Sequence, residues 1–253
     1  MLILLSPAKT MDVFSTIEAP KGTQPQFATE AAEIVMQMLP YSVDELESIL
    51  GVSSKLAVQN YRRYQDFHSK DALPLQALLA YTGTVFKHIA PNDFSTDDFV
   101  YAQQHLRIVS SVYGLVRPLD NIKAYRMEYN VKLPGLSKGL YDYWRPKLTL
   151  PLIREVKKSG GVLINLASLD VQDAFYWQKL ENKIMLITPE FKEWRNGKLE
   201  TVRTYAKMAR GEMVRFILKN RIEHHEELKN FSWEGFTFRP ELSDKNRYVF
   251  TSF

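Results

Sequence analysis

Five short apolar runs constrain this chain more than anything else in it. They are Leu2 to Leu5, Leu75 to Tyr81, Leu106 to Val112, Val162 to Leu166 and Lys183 to Thr188. Side chains that are apolar in succession, rather than alternately, belong to strands buried on both faces. Such strands are found in parallel or mixed sheets covered by helices. Helical patterns separate the runs, so the expected fold is α/β: a mixed β-sheet with flanking helices. No repeat, low-complexity tract or linker divides the 253 residues, which read as a single domain over 1–253. Several runs exit into small or polar residues. In a sheet of this kind these exits gather at one edge. That predicts a cleft walled by Ser6–Lys9, Tyr113–Glu128 and Ser168–Asp170.

Between the runs, Thr29 is read as capping a helix to about Leu39, which Pro40 ends. Ser42 starts a second helix, with Asp44 and Glu45 in its first turn. Gly51-Val52-Ser53-Ser54 interrupts it, and a third helix follows through Tyr64, with Leu56, Ala57 and Tyr61 inward. Further helices are expected over Thr84–Ala90, from Ser95, and over Leu140–Lys158, where Pro151 predicts a kink or break. Asn196-Gly197 is a tight hairpin signal. A last helix spans about Tyr205 to Arg221, and residues 235–239 and 247–251 pair as a closing hairpin.

Thirty-three Lys and Arg against 29 Asp and Glu give a net charge of +4. That permits an anionic partner without requiring one. The chain has no cysteine, which removes disulfides, thiolate metal sites and a cysteine nucleophile. Met1–Leu5 lacks the basic start and length of a signal peptide, and no run approaches a membrane span. The expectation is a cytoplasmic protein with no membrane partner.

Three constellations carry candidate chemistry. Asp44 to Arg63 reads as a helix-hairpin-helix over about 42–64. A glycine-containing turn there points free backbone amides at a phosphate, with Gly51, Ser53, Lys55, Arg62 and Arg63 as DNA contacts. Ser53 stands where the usual pattern has a second glycine. The alternative is a plain helical hairpin packing Leu46, Ile49 and Leu56 into the core. The second constellation is the basic side of the helix from Tyr205, with Arg203, Lys207, Arg210 and Arg221; a solvated surface helix would look the same. Gly211 within it predicts close packing or a bend.

The third is the stretch Tyr113–Glu128, read as a charged loop too polar for a strand. Its Arg117 and Arg126 join Lys9, Lys207 and Arg210 in a basic cleft, where Lys9, Glu128 and Asp170 are candidate catalysts. Structural ion pairing is the competing role for all of them. His224-His225-Glu226-Glu227 reads as a helix end and not a metal site, because adjacent helical positions diverge. No metal or cofactor is expected, since the phosphate-loop, dinucleotide and His-Glu-x-x-His patterns are missing.

Several pieces of the chain resemble the bacterial YaaA family of peroxide stress proteins. They are Ser6-Pro7-Ala8-Lys9, His105-Leu106-Arg107-Ile108-Val109-Ser110, Tyr113-Gly114-Leu115-Val116-Arg117-Pro118-Leu119-Asp120 and Tyr125-Arg126-Met127-Glu128. Leu140-Tyr141-Asp142-Tyr143-Trp144, Ile164-Asn165-Leu166-Ala167-Ser168 and Ala206-Lys207-Met208-Ala209-Arg210-Gly211 follow in family order. The resemblance implies a YaaA-type fold with an embedded helix-hairpin-helix and a positively charged cleft. It also implies DNA binding and a cytoplasmic role against peroxide that limits damage by unincorporated iron. It brings no established catalytic activity. An enzyme acting on a nucleic-acid base or nucleotide in the same cleft, or a small anionic ligand there, is the alternative. Direct iron binding would need a carboxylate and histidine cluster that the sequence does not offer. The chain departs from the family at Tyr129-Asn130, where Met-Gly is expected, at Asp170-Val171, where Glu-Tyr is expected, and at Thr82.

Overall fold

β1 (Leu2–Leu5) lies inside a nine-stranded mixed sheet, fully buried as its unbroken apolar run requires. The structure is a computed structural model and describes residues 1–136 and 139–252. β1 pairs in parallel with β3 (Leu106–Ser110) on one side and β6 (Val162–Asn165) on the other. β6 continues the parallel order to β7 (Met185–Arg195) and then β11 (Arg247–Ser252). Antiparallel strands finish the sheet. β4 (Gly114–Val116) pairs with β3, β8 (Lys198–Glu200) with β7, and β10 (Phe236–Phe238) lies between β11 and β9 (Ser232–Trp233). The hairpin at Asn196-Gly197 forms as expected, with positive φ at both residues.

Three helices begin the intervening chain: α1 (Ala28–Met36), α2 (Val43–Leu50) and α3 (Ser54–Gln65). α1 is shorter than expected and starts before Thr29, so Thr29 is not its cap. Leu75–Tyr81 is not a strand of the main sheet. Only β2 (Leu75–Gln76) is extended, pairing with β5 (Asn121–Ile122), and Ala77–Ala80 turns into the short α4. The amides of Ala77 and Leu78 donate to Asp120 and Pro118 carbonyls, so the run is satisfied without a sheet neighbour. A short apolar run does not distinguish a buried strand from a buried helical turn.

α5 (Thr84–Ile89) and α6 (Thr96–His105) follow, and Ser95 caps α6 in a capping box with Asp98. α7 (Gly139–Lys158) continues through Pro146 and Pro151 without the break that Pro151 allowed. Its buried Trp144, Leu148, Leu152 and Val156 hold it against the sheet despite the missing amides. The short α8 (Leu169–Gln172) and α9 (Trp177–Glu181) lead to β7, and α10 (Arg203–Lys219) packs on α5, α6 and β7.

The stretch Tyr113–Glu128 is not a solvated charged loop. Gly114–Val116 is a buried strand, and Leu119, Asp120, Ile122, Tyr125 and Met127 are buried. Its charges are neutralised within reach: Arg117 by Asp120, Lys123 by the Phe67 and Ser69 carbonyls, Arg126 by Glu128. Local pairing lets the apolar residues between them go inside. No helix among the described residues is long and apolar enough to cross a membrane.

Candidate nucleic-acid interface

The chain leaves β1 for β3 on one side and leaves β6 for β7 on the other. β1 and β6 are parallel neighbours, so their carboxyl ends flank a topological switch point, where α/β sheets leave a crevice for ligands. Ser6 and Ser168 close its floor. The Ser168 amide donates to Ser6 Oγ at 2.8 Å, and the two hydroxyls lie 3.0 Å apart. Asn165 Oδ1 accepts the Ala167 amide and shapes the exit of β6. Beside this floor Lys9 Nζ meets Glu128 Oε2 at 2.9 Å. Arg126 donates to Glu128 Oε1 at 2.8 Å and to the Lys9 carbonyl at 3.1 Å. Asp170 is exposed, and its carbonyl accepts the Tyr141 hydroxyl. Tyr141 in turn stacks on Tyr129 with ring centres 4.9 Å apart. Arg126 Nε and the Tyr129 hydroxyl are buried without a hydrogen-bond partner among the described residues. Burial holds the Tyr129 hydroxyl well above its ordinary range, so it remains a neutral donor.

α10 packs against α5. It runs alongside α5 in the same direction: Gly211 sits on Val85 and His88, and Arg215 reaches the Ile89 and Ala90 carbonyls. The start of α5 touches the exit of β1, since a Cβ on Gly83 would lie 2.9 Å from that of Ala8. α10 is buried on more than one side, by Ala206, Ala209 and Met213 and by Gly211, Val214, Ile217 and Leu218. Arg203, Lys207 and Arg210 share one side of its first turns. Ala206 and Ala209 face the core there, while Arg203 and Lys207 are exposed and Arg210 is half-buried.

α2 and α3 are joined through Gly51, which is left-handed with φ +58°, and Ser53, which precedes α3. Lys55 and Arg62 are exposed. Arg63 is half-buried and donates to the Met11 carbonyl. Ala57, Asn60 and Tyr64 face the core, while Leu56 is 43% exposed, so the expected inward placement of Leu56 is wrong. An open groove of about 640 Å³ lies along this helix, lined by Leu56, Val58 and Leu73 with Lys55, Arg62 and Lys123 among them.

A family model described as peroxide stress protein YaaA matches residues 1–242. The chain belongs to the YaaA family. It is 54% identical over 251 residues to a UPF0246 protein of Parabacteroides distasonis, covering 99% of each chain. A UPF0246 protein of Bacteroides fragilis is 56% identical over 253 residues, 100% of this chain and 98% of that one. One from Porphyromonas gingivalis is 42% identical over 253 residues, 99% of each.

The YaaA-like pieces of the sequence do not all reach the crevice. Lys9, Arg126 and Glu128 contact one another, and Ser168 contacts Ser6 at the exit of β1. Arg117 does not join them: it is held by the fully buried Asp120 and the Gln24 carbonyl. Arg63 likewise ties α3 to the chain after β1. His225 and Glu226 bond Tyr248 and Lys229 instead of forming a ligand cluster. Tyr129 and Tyr141 were given no role from sequence. Tyr129 departs from the YaaA pattern, and only the fold brings its ring onto Tyr141.

Proposed function

We propose that this YaaA-family protein binds DNA by its phosphate backbone, gripping it with the α2–α3 unit as a helix-hairpin-helix and with the crevice cations. It acts within the peroxide stress response that the family's description names, and DNA binding there limits iron-dependent damage. The observation that carries the reading is the start of α3. α2 and α6 each begin with a capping box, in which the carboxylate accepts the cap serine's amide and the serine hydroxyl accepts the amide of the third helical residue. α3 begins at Ser53 with no side-chain cap and no acid in its first turn. Its leading amides, unsatisfied within the helix, are beside exposed Lys55 and opposite Gly51, around which a Cβ would find nothing within 4 Å. Such an end favours an anion through its dipole and free N–H groups. Contacts of this kind hold the backbone without reading bases.

Fluorescence anisotropy with duplex, bubble and single-stranded DNA tests the reading. With about four phosphates neutralised, affinity falls roughly a hundredfold between about 50 and 200 mM salt. Failure of all three DNAs to bind at low salt contradicts it.

The meeting of Lys9, Glu128 and Arg126 beside Ser6 and Ser168 favours a second reading, an enzyme acting on a nucleotide or base in the crevice. Glu128→Gln separates the two. If Glu128 only neutralises its neighbours, the variant frees Lys9 and Arg126 and binds DNA roughly two- to fivefold more tightly, the scale of an exposed ion pair. A protein that turns over a nucleotide and loses that turnover in Glu128→Gln is the enzyme instead.

A further inference from the structure

Arg210 is the half-buried cation that the rest of the structure does not explain. Arg107, Arg126, Arg145 and Arg215 each meet a carboxylate. Arg210 has no hydrogen-bonding or ionic partner among the described residues, and burial lowers its pKa with no acid opposing it. A desolvated guanidinium without an acceptor is unfavourable, and an anionic ligand would supply that acceptor.

Position narrows the ligand. Arg210 shares one side of the first turns of α10 with the exposed Lys207 and Arg203. A continuous duplex backbone lies along outer cations such as Lys55 and Arg62. A half-buried side chain is reached more readily by a phosphate with a free end than by one inside a duplex backbone. A phosphate monoester has one more titratable oxygen than a diester and is free on three sides, which suits three cations and the two-pronged guanidinium.

We propose that Arg210, with Lys207 and Arg203, anchors a terminal phosphate monoester of a nucleoside, carried by a strand end or by a free nucleoside monophosphate. The nucleoside rests on the proposed nucleic-acid function; the anion site does not. Glu128 stays outside the anchor because Lys9 and Arg126 already occupy both of its oxygens.

The test uses the full chain and four probes at fixed salt: a labelled single strand with a 5′-phosphate, one with a 3′-phosphate, one with neither, and deoxyadenosine monophosphate as competitor. At least one phosphorylated strand binds about tenfold more tightly than the unphosphorylated one, the scale of a charge-assisted hydrogen bond. Arg210→Met abolishes that difference and competition by the monophosphate. The same variant melts no lower than the wild type, because it removes a desolvated charge. Arg210→Lys, which keeps the charge, retains part of the preference.

If a strand end is the source, the phosphorylated strand is preferred. If a free nucleotide is, the monophosphate binds while all strands bind alike. If no DNA binds but the monophosphate binds in an Arg210-dependent way, the anchor stands and the DNA reading falls. The anchor is overturned if DNA binds with no effect of either terminal phosphate, no competition and no dependence on Arg210. It is also overturned if Arg210→Met unfolds and Arg210→Lys binds every probe as the wild type does with no phosphate preference.

Discussion

Replacing Gly211 with alanine destabilises this protein, although the same change in an exposed helix would be favourable by about 1 kcal/mol. A Cβ at Gly211 would stand 2.3 Å from the Val85 carbonyl oxygen and 2.6 Å from His88 Cβ. The carbonyl belongs to the backbone of α5 and cannot swing away, so α10 must move. Overpacking of this kind costs about 3 kcal/mol. The net loss of about 2 kcal/mol lowers the melting temperature by roughly 4–8 °C for a chain of this size. Calorimetry or thermal circular dichroism measures it. A melting temperature equal to or above that of the wild type means that α10 does not pack so closely on α5.

The double variant Lys55→Glu, Arg62→Glu has the larger functional effect. Both side chains are exposed, so the folded state tolerates the change and the melting temperature stays near that of the wild type. DNA affinity falls at least about a hundredfold at low salt. Two phosphate contacts become two repulsions, and the new Glu at position 55 sits beside the free amides of α3 and competes for them. An affinity unchanged within error removes the hairpin from the interface.

The core of the fold was legible because burial leaves its mark on composition. Leu2–Leu5, Leu106–Ser110 and Val162–Asn165 are unbroken apolar runs, and they are the adjacent parallel strands at the centre of the sheet. Ser42, Ser95 and Asn196-Gly197 carry their local chemistry in the sequence, and each does what that chemistry predicts. Order within the sheet was not legible, because nothing in the runs says that β6 crosses to the far side of β1. Charge was misread where partners are close in space. The polar look of Tyr113–Glu128 concealed a buried strand, since Arg117 and Asp120 cancel each other. In α10, Gly211 signalled the close contact with α5. The meeting of Lys9 with Glu128, 119 residues apart, follows from topology and from no local pattern.

The central claim is that DNA phosphates are held at the α2–α3 hairpin together with the crevice. The most direct test is the dependence of DNA affinity on salt, measured for the wild type and for the Lys55→Glu, Arg62→Glu variant on one duplex. The wild type gives a log–log slope near −4, and the variant loses about two units of it. A wild-type slope near zero, or the same slope in both proteins, contradicts the account.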